Sequence, residues 1–146
     1  MPSSSSSAPD PKPFAWFLDR SLSTLREEMT PAYDRLVQEI RGRTVRLWVD
    51  AEPDHVLEES GSIRVVSAPL SFDVEFRASR PVLKALVGGR LTFLDGLLRD
   101  RIHLQGSIED LLVFHDALQT YLRGAVRCPS LPGLLGEFEA SAEPPP

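Results

Sequence analysis

Ser71-Phe-Asp-Val-Glu-Phe-Arg-Ala-Ser79 is the stretch on which the fold turns. Apolar and charged residues alternate along it with a period of two. Phe72, Val74 and Phe76 point one way, and Asp73, Glu75 and Arg77 the other. A strand of a doubly wound parallel sheet is buried on both faces and reads as a solid apolar run. This strand instead implies one apolar face and one wet face. The same alternation runs through Arg43 to Asp50, with Val45, Leu47 and Val49 against Arg46, Trp48 and Asp50. It recurs from Arg101 to Gln105, with Ile102 and Leu104 inward and His103 outward. Asp54 to Ser60 reads as a weaker strand and Ser62 to Ala68 as another, with Gly61 as the turn between them. If one sheet face is wet, the helices belong on the other. The expected architecture is α+β: a sheet of about five mostly antiparallel strands with helices packed on one face.

The helices announce themselves by spacing and caps. From Lys12 to Met29, Phe14, Phe17, Leu18, Leu22, Leu25 and Met29 recur at intervals of three and four. Trp16 falls off that stripe and reads as a single exposed aromatic or as a partner contact. Thr30-Pro31 supplies an N-cap and a first-turn proline for a second helix bearing Tyr33, Leu36, Val37 and Ile40. Gly42 stops it. The two helices form either one kinked rod or a hairpin. Ser79 and Pro81 open a third helix that Gly88-Gly89 closes, and Thr92 opens a short one carrying Phe93, Leu94, Leu97 and Leu98. Ser107-Ile-Glu-Asp110 has the form of a capping box with Asp in the Glu position. The long helix beyond it bears Leu111, Leu112, Phe114, Leu118, Tyr121 and Leu122. Cys128 to Phe138, punctuated by Pro132, Gly133 and Gly136, is expected to wrap over the domain edge.

Composition narrows the function classes. At 146 residues the chain suits one domain. The expected division is a Ser/Pro-rich disordered tail over 1–12, a single domain over 13–138, and a second disordered tail over 139–146. A net charge of −5 argues against a nucleic-acid partner. The single cysteine, Cys128, allows no internal disulfide and no thiolate metal site. The N-terminus lacks the apolar run of a signal peptide, no segment has the length of a membrane span, and the expected location is the cytoplasm. His55, His103 and His115 have no ligand spacing, and no two share a helix face at i and i+4. His115 and Asp116 are helix neighbours and do not face each other. Glu58-Glu59 and Asp73/Glu75 read as exposed carboxylates, the latter pair meeting Arg46, Arg64 or Arg101 across the sheet. No nucleophile elbow, phosphate loop or dinucleotide fingerprint is present. The expectation is no catalysis, no metal and no cofactor.

Four features in order resemble the sterol carrier protein type 2 family. They are the strand Phe72-Asp-Val-Glu-Phe76, the helix stop Gly89-Arg90-Leu91, the apolar segment Phe93 to Leu98, and the strand Arg101-Ile-His-Leu-Gln-Gly106 leading into a last helix. Within that family, Gly42-Arg-Thr-Val-Arg-Leu-Trp-Val-Asp50 and Gly61-Ser-Ile-Arg-Val65 are similar to the accessory proteins of bacterial ubiquinone biosynthesis. Two positions depart from the pattern. Ser107 stands where the family usually has Asp, and Thr92 where it often has Pro. The first helix has no counterpart in the minimal family domain.

The resemblance implies an apolar tunnel between sheet and helices that binds or transfers a lipid, acyl chain, sterol or prenylated quinone. On that implication the ligand-binding residues are Leu47, Val49, Val74, Phe76, Leu86, Phe93, Leu97, Ile102, Leu104, Leu111, Phe114 and Leu118. An empty, rigid space of ~400 Å³ would cost on the order of 10 kcal/mol, so a hollow form should hold a ligand or partly collapse. Phe93 to Leu98 is the segment expected to move. The alternative is a filled core serving as an assembly module. It would bind an enzyme or self-associate through Trp16, Trp48 or Leu131 to Phe138. Besides the hydrophobic ligand, the expected partners are a transient membrane or enzyme contact, the membrane one at Trp16, and a homodimer.

Overall fold

The computed structural model describes residues 13–49, 53–67 and 71–142, with side chains up to Phe138. The tail expected over 1–12, and residues 143–146 of the second, lie outside the described residues. The chain runs α1 (Phe14–Glu28), α2 (Thr30–Ile40), β1 (Thr44–Trp48), β2 (Asp54–Glu59), β3 (Ser62–Val66), β4 (Val74–Ala78), α3 (Arg80–Val87), α4 (Phe93–Leu98), β5 (Ile102–Gly106), α5 (Ile108–Ala125) and α6 (Leu131–Ala142).

The five strands form one mixed sheet in the order β3-β2-β1-β4-β5. Every neighbouring pair is antiparallel except β1 and β4, where Val45 faces Val74 and Leu47 faces Phe76. Register decides which residues share a face. Val45, Leu47, Val56, Val65, Val74, Phe76, Ile102 and Leu104 stand on the inner face. The helices fill this side in two apolar groups. One joins α1 and α2 to α6 and the second half of α5. The other joins β1, β4 and β5 to α3, α4 and Phe114 of α5.

Local chemistry accounts for the helix ends. The Ser79, Thr92 and Ser107 hydroxyls accept from the backbone N–H of Val82, Asp95 and Asp110. The Asp110 carboxylate takes Arg43 Nε at 2.8 Å and ties α5 to the start of β1. Gly89, at φ +77, lets Arg90 N–H reach back to Ala85 O at 2.8 Å and close α3. Gly124 sits where a Cβ would lie 2.5 Å from Leu25 Cδ1 and 3.0 Å from Ala32, so only glycine lets α5 cross α1 and α2 this closely.

Several expectations change. Thr30 does not cap α2. Its hydroxyl donates backward to Arg26 O at 2.7 Å, and the break between α1 and α2 falls at Met29. Phe72 is not inward. β4 begins only at Val74, after a bend at Asp73, and Phe72 lies under the Arg46 guanidinium of the outer face at 4.2 Å. The Cys128 to Phe138 segment, left without an assigned element above, forms α6 from Leu131 and packs back on α1. Pro132 fits a first turn, and Leu131, Leu134 and Phe138 give a helical stripe against α1.

The outer face is less wet than alternation implied. Glu75 and His55 are both buried there, since long arginines and an indole lie across them. Glu75 accepts from Arg77 Nε at 3.0 Å, Trp48 Nε1 at 3.1 Å and Arg46 Nη1 at 3.4 Å. Of the arginines expected opposite these carboxylates, Arg46 is there, whereas Arg64 pairs with Glu59. Asp73 accepts from Thr44 N–H instead.

Candidate functional site

An apolar cavity of about 110 Å³ lies between the inner sheet face and the helices. Val45, Leu47, Val56, Ile63 and Phe76 form its floor. Phe14, Phe17, Leu18 and Leu22 of α1 and Leu36 and Ile40 of α2 close one side. Leu83, Leu86 and Val87 of α3 and Phe114, Ala117, Leu118, Tyr121 and Leu122 of α5 close the other. These positions recur at helical spacing, so each helix turns one apolar stripe to the same space. Kept empty, 110 Å³ costs roughly 2–3 kcal/mol. A domain can carry that, unlike the cost of the larger void considered above.

The lining has one polar atom on a side chain, the Tyr121 hydroxyl, and it is satisfied inside the protein. The Ser21 hydroxyl donates to Leu18 O at 2.9 Å, which uses its only proton. Tyr121 therefore donates to Ser21 Oγ, 2.7 Å away. Burial pushes the Tyr121 phenol from 10.0 up to about 12. Ser21→Ala should strand this phenol and cost about 1–3 kcal/mol in urea unfolding, and adding Tyr121→Phe should restore most of the loss. The same pair predicts a pH effect. The folded pKa lies above the unfolded one, so this contribution is complete below pH 10.0 and is lost as pH rises towards about 12. The Tm of Tyr121→Phe should fall less across that window than that of the wild type.

Five of the residues expected around a tunnel line this cavity: Leu47, Phe76, Leu86, Phe114 and Leu118. Val74, Phe93 and Ile102 are buried in the adjacent apolar group, where Phe93 and Phe76 flank Phe114 at 6.2 and 5.7 Å between ring centres. Leu97, Leu104 and Leu111 pack half-buried against that group, and Val49 against the α1–α2 group. The α1 and α2 side chains were missed as lining. Their stripes were legible, but which part of the sheet a helix covers is set by long-range packing.

The remaining candidates for chemistry stand apart from the cavity. His55 is fully buried on the outer face and accepts from Arg46 Nε at 3.1 Å. His103 is exposed, and His115 stands 3.6 Å from Asp116, too long for a hydrogen bond. Burial alone would raise the Glu75 pKa, but the hydrogen bonds from Arg77, Trp48 and Arg46 outweigh it and hold the carboxyl below its usual range. A carboxylate so held stays ionised and is a poor general acid. Among the described residues no group of three His, Cys, Asp or Glu could hold a metal ion. No described helix is long and apolar enough to cross a membrane.

Comparison with known proteins shows the family. Residues 22–119 match the model of the SCP-2 sterol transfer family. The chain belongs to that family. Its five-stranded mixed sheet with helices is the SCP-2 fold, and this is a lipid-binding fold. The sterol carrier protein domain 2 of Helicoverpa armigera superposes with a TM-score of 0.59 at 16% identity, covering 80% of this chain and 96% of that one. The UbiJ-SCP2 ubiquinone synthesis protein gives 0.55 at 17% identity, covering 79% and 97%. A conserved hypothetical protein of Thermus thermophilus, described as possibly a sterol carrier protein, gives 0.54 at 19%, covering 88% and 99%. No curated protein matches the sequence. The SCP-2 match begins at Leu22 and ends before α6, so Phe14, Phe17 and Leu18 add a cavity wall from outside the matched region.

Proposed function

We propose that this SCP-2 protein is a non-catalytic cytoplasmic carrier that buries one hydrocarbon tail in the cavity under its sheet. The observation that carries the reading is the lining. Nineteen residues meet there, and all are hydrocarbon apart from a phenol whose hydroxyl is already bonded. Such a surface offers no acid, base or nucleophile, and its only chemistry is the exclusion of water. Ligand sites of this kind span about 300–1,000 Å³. The resting cavity of 110 Å³ therefore takes part of a chain, and the walls must part to take the rest. A flexible acyl or prenyl tail suits a space that widens as it fills. The fold shared with UbiJ-SCP2, a ubiquinone synthesis protein, supports a prenylated quinone as one cargo.

The test is to purify the protein from its host, extract it with organic solvent and identify what is released, alongside titration with a fluorescent fatty acid. Co-purified lipid and saturable binding, displaced by a long-chain acyl or prenyl compound, are expected. Protein that releases nothing and binds no probe would exclude the carrier and leave a filled-core assembly module.

A further inference from the structure

A second recess, a cleft of about 260 Å³, opens between the start of α2 and the end of α5. It shares no residue with the apolar cavity. α5 gives it one stripe: Thr120, Arg123 and Gly124 recur at i, i+3 and i+4, with Arg127 at i+7 in the turn beyond. α2 gives Ala32 and Arg35, one turn apart. The close crossing at Gly124 holds the two helices together at this point.

Three arginines and no acidic residue line the cleft. Arg35 is held by Glu39 at 3.4 Å, but Arg123 and Arg127 have no carboxylate partner among the described residues. Glu28, at the end of α1, is taken by Ser130, and Glu27, Asp34 and Asp116 are exposed outside the lining. Basic residues near a helix C-terminus suit its dipole, which alone would account for Arg123 and Arg127. It does not account for Thr120. This residue is only 7% exposed, and its hydroxyl meets no partner among the described residues. A buried hydroxyl left unbonded is costly unless something enters to meet it, and Thr120 stands on the cleft wall. The start of α2 is open in the same place. The Thr30 hydroxyl turns back to Arg26 O, no side chain caps the helix, and Tyr33 N–H is the first to find a backbone acceptor, Met29 O. Pro31 has no N–H, and the Ala32 N–H on the cleft wall has no acceptor among the described residues. The last carbonyls of α5, which would repel an anion, already accept from the N–H groups of Val126, Arg127 and Cys128.

Guanidinium groups, a helix N-terminus and a buried hydroxyl can all donate, and together they call for an anion with several oxygens. A phosphate matches the planar forks of two arginines better than a single carboxylate does. The volume of 260 Å³ far exceeds the ~10–15 Å³ that admits one water, so a phosphate attached to a small organic body fits. We infer that the α2–α5 cleft binds the phosphate group of a small soluble phosphate monoester. Arg123 and Arg127 hold its oxygens, and the Thr120 hydroxyl and the Ala32 N–H donate from the wall. Because the cleft and the cavity have no residue in common, this anion is not the head of a tail held under the sheet, and the inference stands apart from the carrier reading.

The full chain is titrated by calorimetry at low salt with inorganic phosphate and with glycerol 3-phosphate. Saturable binding of one anion per chain is expected, at least as tight for the ester, and acetate at the same concentration should not reproduce it. Arg123→Gln and Arg127→Gln should each weaken the affinity about tenfold, and Thr120→Val several-fold. Arg99→Gln makes the same change of charge at an exposed arginine outside the cleft and should leave the affinity unchanged. Arg123 and Arg127 are exposed, so their variants should keep the wild-type melting curve. Wild-type protein that binds neither phosphate compound overturns the inference. So does a loss in Arg99→Gln equal to that in Arg123→Gln, which would mean diffuse attraction by charge. Retention on phosphatidic acid vesicles by a protein that ignores both soluble compounds overturns it too. The fatty-acid titration is read separately, so failure of the cavity reading and failure of this cleft give different results.

Discussion

Phe138→Ala is expected to cost about 3–5 kcal/mol of folding free energy and to lower Tm by roughly 10 °C. Phe138 has no solvent exposure and lies in α6, the last described element. Its ring stacks on Phe17 at 4.6 Å and meets Phe14 at 6.5 Å, and the Arg80 guanidinium sits over it at 4.7 Å. One aromatic therefore joins α1, α3 and α6. Leu131 and Leu134 complete the buried side of α6, and Glu28 receives the Ser130 N–H and hydroxyl where the helix begins. Truncation leaves a void the size of a phenyl ring beside Phe17, itself a wall of the cavity. Collapse into it is opposed by the stacked helices. Urea unfolding measures the loss. A change below about 1 kcal/mol would mean that α6 is held loosely and that the α1 wall of the cavity stands without it.

Phe138 also shows what could be read ahead of the structure. Leu131, Leu134 and Phe138 are spaced for a helix, and Pro132 fits a first turn, but Gly133 and Gly136 weaken that signal in the sequence. No Cβ at either glycine would meet anything within 4 Å. The glycines are tolerated there because packing on α1 supplies what their weak propensity lacks. The sheet was legible because strands buried on one face must alternate, and the caps at Ser79, Thr92 and Ser107 because their chemistry is local. Phe72 went astray because the alternation says nothing about where a strand begins, and one bend at Asp73 sends that ring to the other face. Glu75 reads as exposed from its strand alone. Its burial, like that of His55, depends on long side chains such as Arg46 lying across neighbouring strands, which register determines and a single strand does not show. The cavity was legible as a class of site. Its walls were not, because α1 and α2 reach the floor residues through packing across the sheet.

Ala117→Leu is expected to separate stability from binding. Ala117 is buried on α5 and faces the cavity, so three added carbons enter that space. Each buried methylene contributes about 0.8 kcal/mol, and the strain of a partial fit offsets some of it. Leucine keeps nearly the helix propensity of alanine. Stability in urea should hold or rise by about 1 kcal/mol. A hydrocarbon tail then loses volume and contact area together, and fatty-acid affinity should fall at least about tenfold, or ~1.4 kcal/mol. Leu104→Val is the control. It shortens an inner-face residue that packs beside Phe76 but does not line the cavity, so tail affinity should change less than about twofold. Equal tail binding by Ala117→Leu and wild type would place the hydrocarbon elsewhere. A loss in Leu104→Val with none in Ala117→Leu would move it to the β4–β5 end of the sheet, beneath Phe93 and Phe114. Because Ala117→Leu is expected to fold at least as well as the wild type, its loss of binding could not be attributed to unfolding.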